Sequence, residues 1–304
     1  MSLYSLFVEP WTAGDWMWRG VLTASLVAVS CALLGCFLVL RRMSLFSDAL
    51  AHVALPGLVG AYLLTGSTGT VAMFLGAIAA ALLTTGLVSG VKRYGGAHGD
   101  AAIGIVFTAL FALGVIMLSA FASDADLDTS CVLFGDVLGV ADHSIITLAV
   151  LCVVLLASVI AFFRPLQLAT FDPAHARAVG LPVAWIFGGM MAALSVTTVA
   201  SFEAVGAVLV IAAMITPAAT AHLLTRHLQT MLAVAVAHGL ISAVVGMYVS
   251  IWLNCSTGGA MVCVGAVLFG LAMAWTHLAR ALRRPTLTAP DPASFSSPPT
   301  LESP

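Results

Sequence analysis

The stretch RRMSLFSDALAHVALPG, residues 41–57, decides how this chain is read. It lies between two strongly apolar runs. Asp48 and His52 are four residues apart, so on a helix they share one face. A carboxylate oxygen and an imidazole nitrogen suit a divalent transition metal. Pro56 and Gly57 follow at once, where a helix can bend or break. An ionisable side chain inside a membrane costs about 2.5–3.5 kcal/mol on insertion scales, so such residues mark functional paths by default. The competing reading makes Asp48 a helix cap near the membrane surface and lets His52 snorkel to water.

Working outward, the whole chain is 61% hydrophobic and 8% charged, against roughly 25% charged in a soluble domain. It reads as an all-α integral membrane protein. The net charge of −2 argues against nucleic acid as a partner. The six cysteines form no CxxC pair and mostly sit inside apolar runs, where Cys acts as a small hydrophobe.

Apolar runs predict spans near 20–40, 45–64, 70–91, 101–122, 144–163, 183–200, 203–224, 230–253 and 259–280. The join at 200–203 is so tight that eight spans is the alternative count. Orientation follows from Lys and Arg. Arg41, Arg42, Lys92, Arg93, Arg164, Arg177, Arg226, Arg280, Arg283 and Arg284 all follow odd-numbered spans. Arg19, before the first span, alone falls on the other side. This predicts an amino terminus outside and a carboxyl terminus in the cytoplasm. Asp124, Asp126 and Asp128 then mark an outer loop, and 130–143 reads as a helical piece at the outer surface. Spans one to four and six to nine would form two helix units of opposite topology, the arrangement of an inverted repeat. Residues 1–284 are the transmembrane domain. Residues 285–304, rich in Pro, Ser and Thr, read as a disordered cytoplasmic tail.

The longest cytoplasmic connection contains FDPAHARAVGLPV, residues 171–183. Asp172 is a good N-cap, Pro173 suits the first helical position, and Gly180 suits the position past the end. Pro182 blocks continuation. The result is a helix of about two turns, too short to be stable alone, which needs a partner surface. No GxxxxGK[ST] phosphate loop occurs in the chain, so it does not bind ATP in the P-loop manner.

With these residues quoted, the chain resembles the membrane permease subunits of ABC importers for manganese, zinc or iron, from about residue 15 to 280. Three stretches carry the resemblance: 41–57, 171–183, and SFEAVGAVLVIAAMITPAATAHLLTRHL at 201–228. It implies a bacterial inner-membrane protein with two cytoplasmic ATPase subunits, a second permease subunit, identical or paralogous, and an extracellular or periplasmic metal-binding protein. It implies transport without catalysis, the metal ion being cargo and no cofactor bound permanently. Asp48 and His52 match the family's acidic and histidine positions in metal passage. Asp172, Pro173, Ala176, Arg177, Val179 and Gly180 match the segment that docks on the ATPase. The chain departs from the family at Asn254-Cys255-Ser256-Thr257-Gly258, which lacks acid and proline, and at His222.

Two further residues are candidates for metal passage. Glu203 reads as the outer end of the seventh span, either receiving a cation or, with Ser201, favouring a helix start. His238 lies within the eighth span, as a path residue or a partner to another helix. His222 and His227 suit a helix C-terminus. A rival function uses Asp48, Glu203 and His238 as proton carriers in a secondary transporter of a small solute.

Overall fold

In lipid every backbone polar group must be paired inside its own element, and long apolar helices do this. The computed structural model describes residues 15–66, 70–96, 99–121 and 139–282. In chain order the helices are α1 (Asp15–Leu40), α2 (Leu45–Thr65), α3 (Thr70–Tyr94), α4 (Gly99–Phe121), α5 (Asp142–Ala161), α6 (Phe163–Phe171), α7 (Pro173–Ala178), α8 (Val183–Val205), α9 (Ala207–Leu224), α10 (Leu228–Leu253) and α11 (Thr257–Leu282). No strand occurs among the described residues. All but α6 and α7 are long and apolar enough to cross a membrane, which makes nine candidate spans among the described residues.

The helices gather in two groups. α2 packs closely on α3 and α4, while α1 packs on α9 and α10, and both α9 and α10 pack on α11. α8 touches α1, α2, α3 and α5 and so joins the groups. The two sequence units are therefore interlocked, because α1 belongs to the first in sequence and packs with the second in space. Small residues allow this closeness. Gly57 of α2 and Gly76 of α3 lie so near that a Cβ on either would run into the other's carbonyl oxygen.

The boundary near 200 differs from the sequence reading. α8 runs through to Val205 and α9 starts at Ala207, with Gly206 alone between them at φ 79°, ψ 163°. That conformation is essentially reserved for glycine. Ser201 to Ala204 holds no breaker, so the helix continues to the residue that can turn. Glu203 thus belongs to the last turn of α8, and the helix-start reading of Ser201 and Glu203 is overturned.

The sequence reading also passed over α6. After Ala161 the chain bends at Phe162 and resumes as a separate helix of 9 residues. Residues 124–128, most of 130–143 and the tail 285–304 lie outside the described residues; of that outer piece, Asp142 and His143 already belong to α5.

Candidate metal path

α2 begins at Leu45, and its first three turns present Asp48 and His52 on one face as the spacing requires. His52 Nε2 lies 3.5 Å from Asp48 Oδ1, and both side chains remain partly exposed, at 32% and 42% respectively. Two rings of α4 wall the imidazole. Its centroid is 5.7 Å from that of Phe107 and 5.6 Å from that of Phe111, the latter edge-on. Phe107 and Phe111 themselves stack at 6.0 Å.

Pro56 stands four residues after His52 inside the same helix. Lacking an N–H, it leaves the His52 carbonyl without its helical donor. One turn of α2 therefore offers a carboxylate and an imidazole, and the helix is weakened just beyond them at Pro56. No group of three or more His, Cys, Asp or Glu able to hold a metal occurs among the described residues.

The turn between α1 and α2 is latched to its surroundings by Arg41. Its Nη2 donates to the Ala169 carbonyl of α6 at 2.8 Å. Its guanidinium carbon sits 4.7 Å from the centre of the Phe187 ring of α8. Burial lowers the pKa of this guanidinium from its ordinary value.

The connection after α6 forms the two-turn element expected. Asp172 Oδ1 accepts the His175 N–H at 2.9 Å, and Pro173 occupies the first turn. Arg177 Nε donates to the Pro173 carbonyl at 3.1 Å. Gly180 takes φ 88°, which suits the stop. Ala176 is fully buried against the rest of the chain, whereas Val179 is 62% exposed. Of the residues expected to dock on an ATPase, Ala176 therefore seats α7 on its own chain, while Asp172, Pro173, Arg177, Val179 and Gly180 are exposed.

Glu203 is not brought to Asp48 and His52. Its Oε1 lies 3.9 Å from His143 Nε2 at the start of α5. Beside that pair, Arg19 of α1 is ion-paired with Asp142 and donates to the Val140 carbonyl at 3.2 Å. His143 escaped the sequence reading; a carboxylate and an imidazole far apart in the chain carry no spacing signal. Phe107 and Phe111 escaped for the opposite reason, being ordinary apolar residues of a span.

His238 is buried in α10, apart from both pairs, in a small cavity of about 30 Å³ with Ser242, Thr216 and Pro217. The Gly265 backbone lies against its ring. His222 is exposed in the last turn of α9, as expected, whereas His227 stands at the N-cap position of α10 with no side-chain cap bond, so the helix C-terminus reading fails for it.

With this geometry in hand, the comparisons with known proteins fall into one pattern. The family described as the ABC 3 transport family matches residues 13–276. The chain belongs to the ABC 3 transport family. It is 43% identical over 264 residues to the manganese transport system membrane protein MntD of Bacillus subtilis, covering 83% of this chain and 89% of that one. It is 39% identical over 277 residues to the zinc transport system membrane protein TroD of Treponema pallidum, covering 87% of this chain and 75% of that one. Among solved structures, PsaBC from Streptococcus pneumoniae in complex with Fab superposes with a TM-score of 0.76 at 29% identity, over 89% of this chain and 95% of that chain.

Proposed function

We propose that this chain is the permease subunit of an ABC importer that moves divalent manganese, zinc or iron into the bacterial cytoplasm. Family membership and the metal-transport relatives support the class. The observation that carries the mechanism is the half-exposed Asp48–His52 pair, 3.5 Å apart on α2 and incomplete as a metal shell. A second permease subunit facing the same surface would supply the other half. The ion would be held there transiently, because a site that binds too tightly cannot release its cargo. A separate ATPase would grip α7 and its flanks, and its closure would change which side is open. The Arg41 latch offers the physical route, since it ties α6 and α8 to the turn that joins α1 to α2.

Glu203 and His143 form a second pair of the same donor types at the far end of α8, suited to receiving an arriving ion from a binding protein. The orientation that makes this end outer rests on the distribution of Lys and Arg. The test is uptake of radioactive manganese and zinc by proteoliposomes containing the permease, its ATPase and the binding protein. Uptake that requires ATP and is lost in Asp48→Ala supports the reading. Uptake by the permease alone, driven by a proton gradient, supports a secondary transporter instead.

A further inference from the structure

A groove of about 930 Å³ runs between α5 and α10, with Leu33 of α1 between them. Along the spans it is lined by aliphatic side chains, among them Leu156 and Val159 of α5 and Leu232 and Val236 of α10. At the end where α5 gives way to α6 the lining changes to Arg164 and Gln229. A second pocket of about 420 Å³ shares Phe163 and Gln229 with the groove and adds Gln167, Arg226 and His227. The two adjoin at these shared residues, an open apolar groove along the spans with a basic pocket at its rim.

The charges at this rim are uncommitted. Arg164 and Arg226 are exposed, and neither takes part in an ion pair among the described residues. Their guanidinium forks match phosphodiester oxygens in shape and charge. The rim also sits at headgroup depth, since Phe162, Phe171 and Trp185 are exposed at the same end of the bundle, and aromatic side chains anchor at that interface.

We infer that this feature is a binding site for one anionic phospholipid, its acyl chain in the α5–α10 groove and its phosphate between Arg164 and Arg226. A single amphiphile satisfies both halves, apolar where the lining is apolar and anionic where it is basic. A soluble ATPase reaches the rim and not the slot between the spans. The second permease belongs against the face of α2 that carries Asp48 and His52. Each guanidinium near an anionic surface favours association by about fivefold.

The experiment measures association of spin-labelled phosphatidylglycerol and phosphatidylcholine with the full chain in nanodiscs. The unaltered protein should prefer phosphatidylglycerol severalfold. The double variant Arg164→Gln with Arg226→Gln should lose that preference, and Arg226→Lys should keep most of it. Ala237→Trp, which fills the groove from an exposed position of α10 without touching a charge, should weaken binding of both labelled lipids at this site. Equal association of the two lipids with the unaltered protein would overturn the inference. So would an undiminished preference in the double variant, or loss of ATPase co-purification in that variant with lipid preference intact, which would make the rim a protein dock.

Discussion

Gly114 of α4 packs directly on Pro56 of α2, so that a Cβ on residue 114 would lie 2.8 Å from Pro56 Cδ and 2.9 Å from its nitrogen. The contact holds the two helices at the distance that lets Phe107 and Phe111 wall His52. Gly114→Leu should push α4 away at a cost of about 1–3 kcal/mol. The expected outcome is a protein present in the membrane at near-normal level, with metal uptake strongly reduced. Normal uptake would mean that the aromatic walls do not position His52.

Asp48→Ala and His52→Ala should each lower metal uptake more than about tenfold while leaving the protein in the membrane. The two effects should not add, because removal of either donor already dismantles the pair. Initial rates of radioactive metal uptake, normalised to immunoblotted protein, read this directly.

Arg41→Ala should separate ATP hydrolysis from transport. The substitution removes the hydrogen bond to Ala169 and the stacking on Phe187, and leaves Asp48 and His52 in place. The reconstituted complex should still hydrolyse ATP but deliver fewer ions per ATP. Arg41→Lys keeps the charge, loses the planar stack, and should fall between the two. An unchanged ratio of ions to ATP would remove Arg41 from the coupling route.

Val179 and Ala176 should respond differently to the same substitution. Val179→Asp puts a charge on an exposed position and should weaken ATPase association by about 10–100-fold, the equivalent of 1–3 kcal/mol in a buried contact. Ala176→Asp instead buries the charge inside the permease and should lower the amount of folded protein. Full ATPase co-purification with Val179→Asp would make residues 172–180 an ordinary surface segment.

Cysteine placed at His143 should react with an impermeant thiol reagent in intact cells, and cysteine at His175 only after the membrane is opened. Labelling of position 175 in intact cells would reverse the orientation.

The sequence was legible where one local signal is enough. Apolar run length marked nine spans, the four-residue spacing put Asp48 beside His52, and Asp172, Pro173 and Gly180 marked both ends of α7. It misled where two signals competed. Ser201 and Glu203 look like a helix start, yet Gly206 alone can adopt the turn, so the break fell three residues beyond Glu203. What comes from packing of distant spans left no mark in the spacing: the approach of His143 to Glu203, the phenylalanine walls, the burial of Ala176, and the interlocking of α1 with α9 and α10. The small helix α6 was hidden because an apolar run that bends at Phe162 looks the same as one that does not.

Gly206 has a mechanical consequence. α8 is a continuous strut of 23 residues, about 34 Å long. Its foot is tied to α7 by the Leu181 N–H donating to the Ala176 carbonyl at 3.0 Å, and its head carries Glu203. Beyond that head there is no loop to take up slack, only two backbone torsions of one residue, both held where glycine alone is comfortable. A tilt imposed on the foot of α8 is taken up at the two torsions of Gly206, while an axial shift is passed on to the first turn of α9. From there it bears on α1, and on the weak point that Pro217 makes in α9.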